Sequence, residues 1–238
     1  MPRGARRRRV VGAIVVSVAL VVGAGLFALV ELRAAPEAEA QDHPARVVPV
    51  LELPEPRTDG ETSLERALLQ RTATRDFLPQ ALTPAQLGQL LWAAQGETGG
   101  GRNAPSAGAL YPLELYVAHE GGIFHYRPAG HEVAAVSDDD IREPLLDAAR
   151  GQRAFETAPA VILVAGVEER TAEKYGSRAE QYVLIEVGHA GQNVLTQAAV
   201  LGLGAVPTGA FRDDDVAELF DLPEGTEPLY LIPVGLPG

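Results

Sequence analysis

The chain has 238 residues, 46% of them hydrophobic and 22% charged, with no cysteine and a formal charge of −12. This is the composition of a globular protein, not of a collagen-like, disordered or disulfide-stapled one; the missing cysteines also exclude thiolate catalysis, zinc–thiolate sites and a lipid-anchored amino-terminal Cys. The charge is unevenly spread, because residues 1–40 hold six Arg and three Glu while residues 41–238 carry 14 basic and 29 acidic residues. So acidic a body lacks the basic face that nucleic-acid phosphates require.

Arg3 and Arg6 to Arg9 precede an uncharged run from Val10 to Val30. As a helix at ~1.5 Å per residue, that run spans about 31 Å, which matches a bilayer core of ~30 Å. The expectation is one membrane anchor, with the Arg cluster cytoplasmic and the remaining chain outside. A cleaved signal peptide is the alternative, with Ala38-Glu39-Ala40 as the small-residue cleavage site. Residues 31–60 are rich in Pro, Ala and Glu without a period and read as a linker, which leaves residues 61–238 for one domain.

Within that domain, Thr62-Ser63-Leu64-Glu65 has the pattern of a capping box opening a short helix to about Gln70. A second helix is predicted from Thr83 as cap, with Pro84 in its first turn, to Ala94. Gly96 to Arg102 reads as a glycine-rich loop. Leu113 to Ala118 and Ile123 to Tyr126 read as strands around a Gly121-Gly122 hairpin turn. Asp138 to Asp140 mark the start of a helix ending near Arg150. Ala160 to Ala165 is a short apolar strand, and Ser177 to Leu203 the longest soluble helix, with Val183, Val187, Ala190, Val194, Leu195 and Ala198 inward. A short helix over Asp213 to Phe220 and a strand over Leu229 to Val234 complete the chain. Helices and strands interleave, but the hairpin argues against a purely parallel sheet, so the fold class is α+β.

Three segments could carry chemistry. Arg71-Thr72-Ala73-Thr74-Arg75 places two guanidinium forks and two hydroxyls at a helix end, a set able to grip a phosphate; an exposed basic turn would read the same. Ala104 to Pro112 and Gly202 to Ala210 are runs of small residues and prolines that let backbone approach a flat ligand, or simply tight turns. Lys174, the one lysine, follows Glu168, Glu169 and Glu173 and reads on composition as a solvated charge in a loop. The histidines do not assemble into a metal site: His43 lies in the linker, His119, His125 and His131 are spread over the hairpin region, and His189 falls mid-helix. No HExxH, P-loop or dinucleotide GxGxxG is present, and Trp92 reads as core.

These segments, in this order and spacing, resemble the nitroreductase-like flavoproteins, and among them the SagB/ThcOx-type dehydrogenases. Lys174-Tyr175-Gly176-x-Arg178, Glu186-x-Gly188-His189 with Gln192-Asn193, and Pro233-Val234-Gly235 extend the agreement, which covers about Ser63 to Gly235. The resemblance implies an FMN-binding α+β fold with a central mixed or antiparallel sheet flanked by helices, forming a homodimer with the flavin at the subunit interface. It implies that Arg71, Thr72 and Arg75 grip the phosphate and ribityl chain, and that Pro105, Ser106 and Gly108 form the wall of the isoalloxazine ring. Gly209 and Ala210 would offer a backbone N–H to the reactive edge of the flavin. Lys174 and Tyr175 match the pair that assists proton removal in azoline dehydrogenases, which makes them the expected catalytic residues. Ala109 and Tyr111 stand where simpler nitroreductases often carry Asn and Gln, which points to the dehydrogenase branch. Many relatives add a basic carboxyl-terminal segment that completes the phosphate site; this chain stops at Gly238 without one, which leaves FMN retention an open question at this point.

The expected function is an FMN-dependent oxidoreductase passing hydride between a small organic or peptide-derived substrate and flavin. An NAD(P)H-dependent nitro- or quinone reductase is the alternative within enzymes. A non-catalytic small-molecule binding module on a degenerate fold is the alternative of another class.

Overall fold

A computed structural model describes residues 50–238. The anchor, most of the linker and His43 lie outside the described residues. In chain order the elements are β1 (Val50–Glu52), α1 (Leu64–Gln70), α2 (Pro84–Gln95), β2 (Glu97–Thr98), β3 (Gly101–Arg102), β4 (Leu113–His119), β5 (Gly122–Arg127), β6 (Glu132–Ser137) and α3 (Arg142–Ala148). They continue with α4 (Ala154–Thr157), β7 (Ala160–Gly166), α5 (Glu168–Tyr175), α6 (Ala179–Val200), β8 (Gly204–Ala205), α7 (Asp213–Leu219) and β9 (Glu227–Gly235). Among the described residues no helix is long and apolar enough to cross a membrane.

Local chemistry explains the helix starts. Ser63 caps α1 by accepting from the Arg66 N–H, one residue later than the sequence pattern suggested. Thr83 and Gln86 form a reciprocal capping box at α2, with Pro84 in the first turn where its missing N–H costs nothing. The helix expected from Asp138 begins only at Arg142, where Asp140 accepts from both the Arg142 backbone N–H and its guanidinium, while Asp139 accepts from Ser137 Oγ.

Seven strands form one sheet in the order β1-β6-β5-β4-β7-β9-β8, antiparallel at every pairing, so the mixed alternative drops out. The hairpin turn itself is Glu120-Gly121, with Gly122 already paired to His119. Gly122 sits at φ 114, and a Cβ there would lie 2.2 Å from the Ser137 carbonyl oxygen, so only glycine fits. The Gly96–Arg102 loop is a small β2–β3 hairpin. The carboxyl end of the expected linker is also part of the fold: β1 pairs with β6, and Gln89 brackets the Arg57 backbone through both its N–H and its C=O.

Helices cover both faces of the sheet. Ile162 and Val164 of β7 turn toward α2 and α6, joining Leu90, Leu91, Val187 and Val194. Val161, Leu163 and Ala165 turn the other way, toward Leu145, Phe155, Val216 and Phe220. A strand buried on both sides must be apolar at every position, which is why Ala160–Gly166 carries no polar side chain. Helix α6 lies across one face with Val183, Val187, Ala190, Val194 and Ala198 buried. Its opposite side leaves Leu184 and Ile185 each 49% exposed.

Candidate active site

The expected site residues fall at two corners of the sheet. At the β8 edge, Ala73 bridges Ala205 in parallel and Thr74 donates its N–H to the Ala205 carbonyl, which fixes Arg71–Arg75 beside β8. A Cβ on Gly204 would lie 2.5 Å from Thr74, so the glycine is what lets the two segments touch. Arg71 closes α1 as its C-cap, Thr72 and Arg75 are exposed, and neither Arg forms an ion pair among the described residues. Gly209 and Ala210 follow Thr208, which exchanges backbone hydrogen bonds with Leu231, and so run along this edge away from Arg71–Arg75, with Gly209 beside Glu227 and Leu229. Gly209 is exposed with open space where a side chain would be, and the Ala210 carbonyl accepts from Gln152 at 2.7 Å.

The second corner lies under α5. The loop from Ser106 to Tyr111 is closed by the Tyr111 N–H donating to Ser106 Oγ at 2.9 Å. Gly108, Ala109 and Tyr111 all hold positive φ, at 64°, 55° and 48°. For the two non-glycine residues this conformation costs ~1 kcal/mol each, strain of the kind that collects at functional sites. Lys174 and Tyr175 reach this loop from the last turn of α5: a Cβ on Gly108 would stand 2.9 Å from Lys174 Nζ and 2.9 Å from Tyr175 Oη. The structure therefore brings together Gly108, Lys174 and Tyr175, with Ser106 and Pro105 at the start of the same loop. It also corrects the reading of Lys174 as a loop residue. Residues 168–175 are a helix, with Glu168 and Glu169 in its first turn and Lys174 in its last, both favourable to the helix dipole.

Sequence reasoning missed what holds this corner. Arg170, one turn before Lys174, pairs with Glu114 of β4 at 2.5 Å and donates to the Tyr111 carbonyl at 3.3 Å. His125 shares Glu114 from the other side at 2.7 Å. Burial alone would raise the Glu114 pKa, but the hydrogen bonds from His125 and Arg170 outweigh it and hold the carboxyl below its ordinary value. Glu186 is 2% exposed on the inner face of α6 and accepts from Gln95 Nε2 at 3.3 Å. Burial pushes its pKa up against the hydrogen bonds of Ser106 and Gln95 and the charge of Arg102. Glu186 was already part of the Glu186-x-Gly188-His189 agreement, though without a role; its burial was readable too, since an acid between Val183 and Val187 interrupts an apolar stripe. Glu114 and Arg170 had no such signal. Among the described residues no group of three or more His, Asp or Glu is placed to hold a metal ion.

The two corners are far apart in one chain. Ala205 pairs with Val234, which faces Ala160 and His119 at one end of the strands; Leu113, just after the Ser106 loop, faces Gly166 and Glu227 at the other. Leu113 and His119 are six strand steps apart, about 20 Å.

The Nitroreductase family model matches residues 68–236, a stretch that contains both corners. The chain belongs to the nitroreductase family. A protein of Methanocaldococcus jannaschii named as a nitroreductase is 40% identical over 183 residues, covering 74% of this chain and 91% of that protein. A crystal structure from Ralstonia eutropha JMP134, also described as a nitroreductase, aligns with TM-score 0.72 at 32% identity over 79% of this chain and 90% of its own. One from Clostridium acetobutylicum described as an NADH oxidase aligns with TM-score 0.55 at 26% identity over 72% and 87%. The family, the antiparallel α+β fold and oxidoreductase chemistry are thereby shown for this nitroreductase-family chain.

Proposed function

We propose that this family member is an FMN-dependent dehydrogenase of the SagB type, oxidising a small organic or peptide-derived substrate. The observation that carries the reading is the meeting of Lys174 Nζ and Tyr175 Oη over Gly108, a proton-handling pair set against a strained backbone loop. The chain fits FMN on its own terms: Arg71 and Arg75 have no carboxylate partner among the described residues, and Gly209 leaves its backbone open to a ligand. FMN, when bound, supplies the two-electron acceptor. The protein supplies the rest. Arg71, Thr72 and Arg75 bind the phosphate end, the Pro105–Gly108 loop sets the plane of the ring, and Lys174 with Tyr175 takes the substrate proton, work that contributes typically ~10²–10⁴-fold.

Because the two corners sit at opposite ends of the strands, one FMN meets both when two copies pair, each giving one corner to a shared site. An apolar surface suits that pairing: Leu64, Leu68 and Leu69 on α1 are 65%, 51% and 75% exposed, alongside Leu184 and Ile185 on α6. The apolar run of residues 10–30 would tether this dimer outside the cytoplasm, and mass spectrometry of the mature protein checks it: a new amino terminus near Gln41 overturns the anchor.

The flavin reading is tested by the visible spectrum of the purified full chain. A flavin band, or FMN uptake on reconstitution, is expected; absence of both overturns it and favours a binding module. Electron supply separates the remaining enzymes. The Clostridium relative is named for NADH oxidation, and rapid flavin reduction by NADH or NADPH with nitroaromatic turnover would move this chain to the reductases.

A further inference from the structure

We propose that the corner under α5 recognises an organic anion, so that the substrate is a small planar molecule bearing a carboxylate or similar acid, held between the Lys174–Tyr175 and Arg178–Tyr182 pairs. This rests on the flavoenzyme reading and adds to it the chemical class of the substrate.

Three cations at this corner lie over tyrosine rings. The Arg102 guanidinium is 4.7 Å from the centroid of Tyr111, Lys174 Nζ is 5.5 Å from that of Tyr175, and the Arg178 guanidinium is 5.6 Å from that of Tyr182. Every cation–ring contact among the described residues is therefore in residues 102–111 or 174–182. The two segments converge. Tyr175 and Tyr182 meet edge to face at 5.0 Å, Lys174 and Tyr175 close on Gly108, and Tyr111 belongs to the Gly108 loop.

A ring face attracts a cation without neutralising it. None of Arg102, Lys174 and Arg178 pairs with a carboxylate among the described residues, although Glu173 and Glu180 are close in sequence; Arg170, one turn earlier, pairs with Glu114. Lys174 and Arg178 are also exposed. The Arg178 charge, which is permanent and so leaves Lys174 to act as the base, is thus available to a ligand, in a chain whose net charge of −12 otherwise repels anions. Arg178 offers a planar donor fork that matches a carboxylate, and the tyrosines offer flat apolar surface for the body of the molecule. The phosphate of FMN has its own cations at the β8 edge, which leaves this set for the second ligand.

The experiment titrates the FMN-loaded full chain with 4-nitrobenzoate and with its neutral counterpart 4-nitrobenzamide, following the perturbation of the flavin band. The carboxylate is expected to bind about tenfold tighter or more, the scale of one charge-assisted hydrogen bond. Arg178→Gln should remove that preference without changing nitrobenzamide binding or FMN retention, and Arg178→Lys should keep part of it. High salt should weaken nitrobenzoate alone, a readout on the wild-type chain that stands even if a variant fails to fold. Equal affinities for the two probes, or an unchanged preference in Arg178→Gln, overturn the proposal. Loss of FMN from Arg178→Gln also overturns it, by assigning the arginine to the cofactor. If the wild-type chain takes up no FMN, the same titration is read by tyrosine emission. A preference for nitrobenzoate there keeps the anion site while the flavin reading falls, and no preference defeats both.

Discussion

The β8 edge and the corner under α5 are held in different ways. At the edge, Arg71–Arg75 and Gly209 are placed mostly by backbone hydrogen bonds, Thr74 to Ala205 and Thr208 to Leu231, while their candidate side chains stand free. Under α5, side chains do the holding: Arg170 ties the helix to the Glu114 carboxylate and to the Tyr111 carbonyl, and Ser106 Oγ closes its own loop on the Tyr111 N–H. Backbone placement survives truncation of a side chain, so changes at the edge should report on ligand binding alone. At the corner, changes should disturb chemistry and local structure together.

The largest effect is expected at the corner. Lys174→Ala should keep its bound flavin and still be reduced by dithionite, since that reduction needs no substrate proton. Substrate dehydrogenation should fall by ~10²–10⁴-fold. Stopped-flow reduction with each electron source checks this, and comparable turnover of wild type and variant would return Lys174 to a surface charge.

Next comes the edge, where Arg71→Ala or Arg75→Ala should each weaken FMN binding by about 1.5–3 kcal/mol, roughly 10- to 150-fold, with an unchanged melting temperature of the apoprotein. Mixing Arg71→Ala chains with Lys174→Ala chains sharpens the comparison. If each site draws one corner from each copy, random exchange restores about a quarter of the sites, because one of the two sites in every mixed dimer is intact. No recovery after proven exchange would place both corners in one chain's site.

Gly108→Ala should cost about 1–2 kcal/mol of stability from its positive φ and displace Lys174 and Tyr175 from a Cβ that would crowd both. Thermal melting and turnover should therefore fall together, whereas a stable variant with full activity would show that the pair does not work at this loop.

The smallest effect is expected at Glu186. Burial raises its pKa above the ordinary 4.5, so the native state holds the proton more tightly than the unfolded chain. The stability this contributes is full below about pH 4.5 and is lost as pH rises through the raised value. Glu186→Gln keeps an acceptor for Gln95 and cannot ionise. It should melt slightly higher than wild type at neutral pH, with the gap closing toward pH 4; a gap independent of pH would show that burial of charge is not the cause.

By itself the sequence determined the elements whose signal is local. Pro84 behind Thr83 starts α2, the period of Val183, Val187, Ala190 and Val194 makes α6, and the unbroken apolar run of β7 declares a strand buried on both faces. The family resemblance named Gly108 for the wall of the flavin ring and, separately, Lys174 with Tyr175 as the catalytic pair. The tertiary structure alone decided the rest. Strands β1 and β6 are short and gain their hydrogen bonds only from each other and from β5, so nothing in either segment announces them. Helix α5 buries just Thr171; without an apolar stripe it reads as loop until α6 and the Arg170–Glu114 pair fix it. The placing of Lys174 over Gly108, and of Arg71 at the far end of the sheet, depends on strand register between distant segments. Register is set by which faces the whole core buries, and that energy is stored in no single stretch of chain.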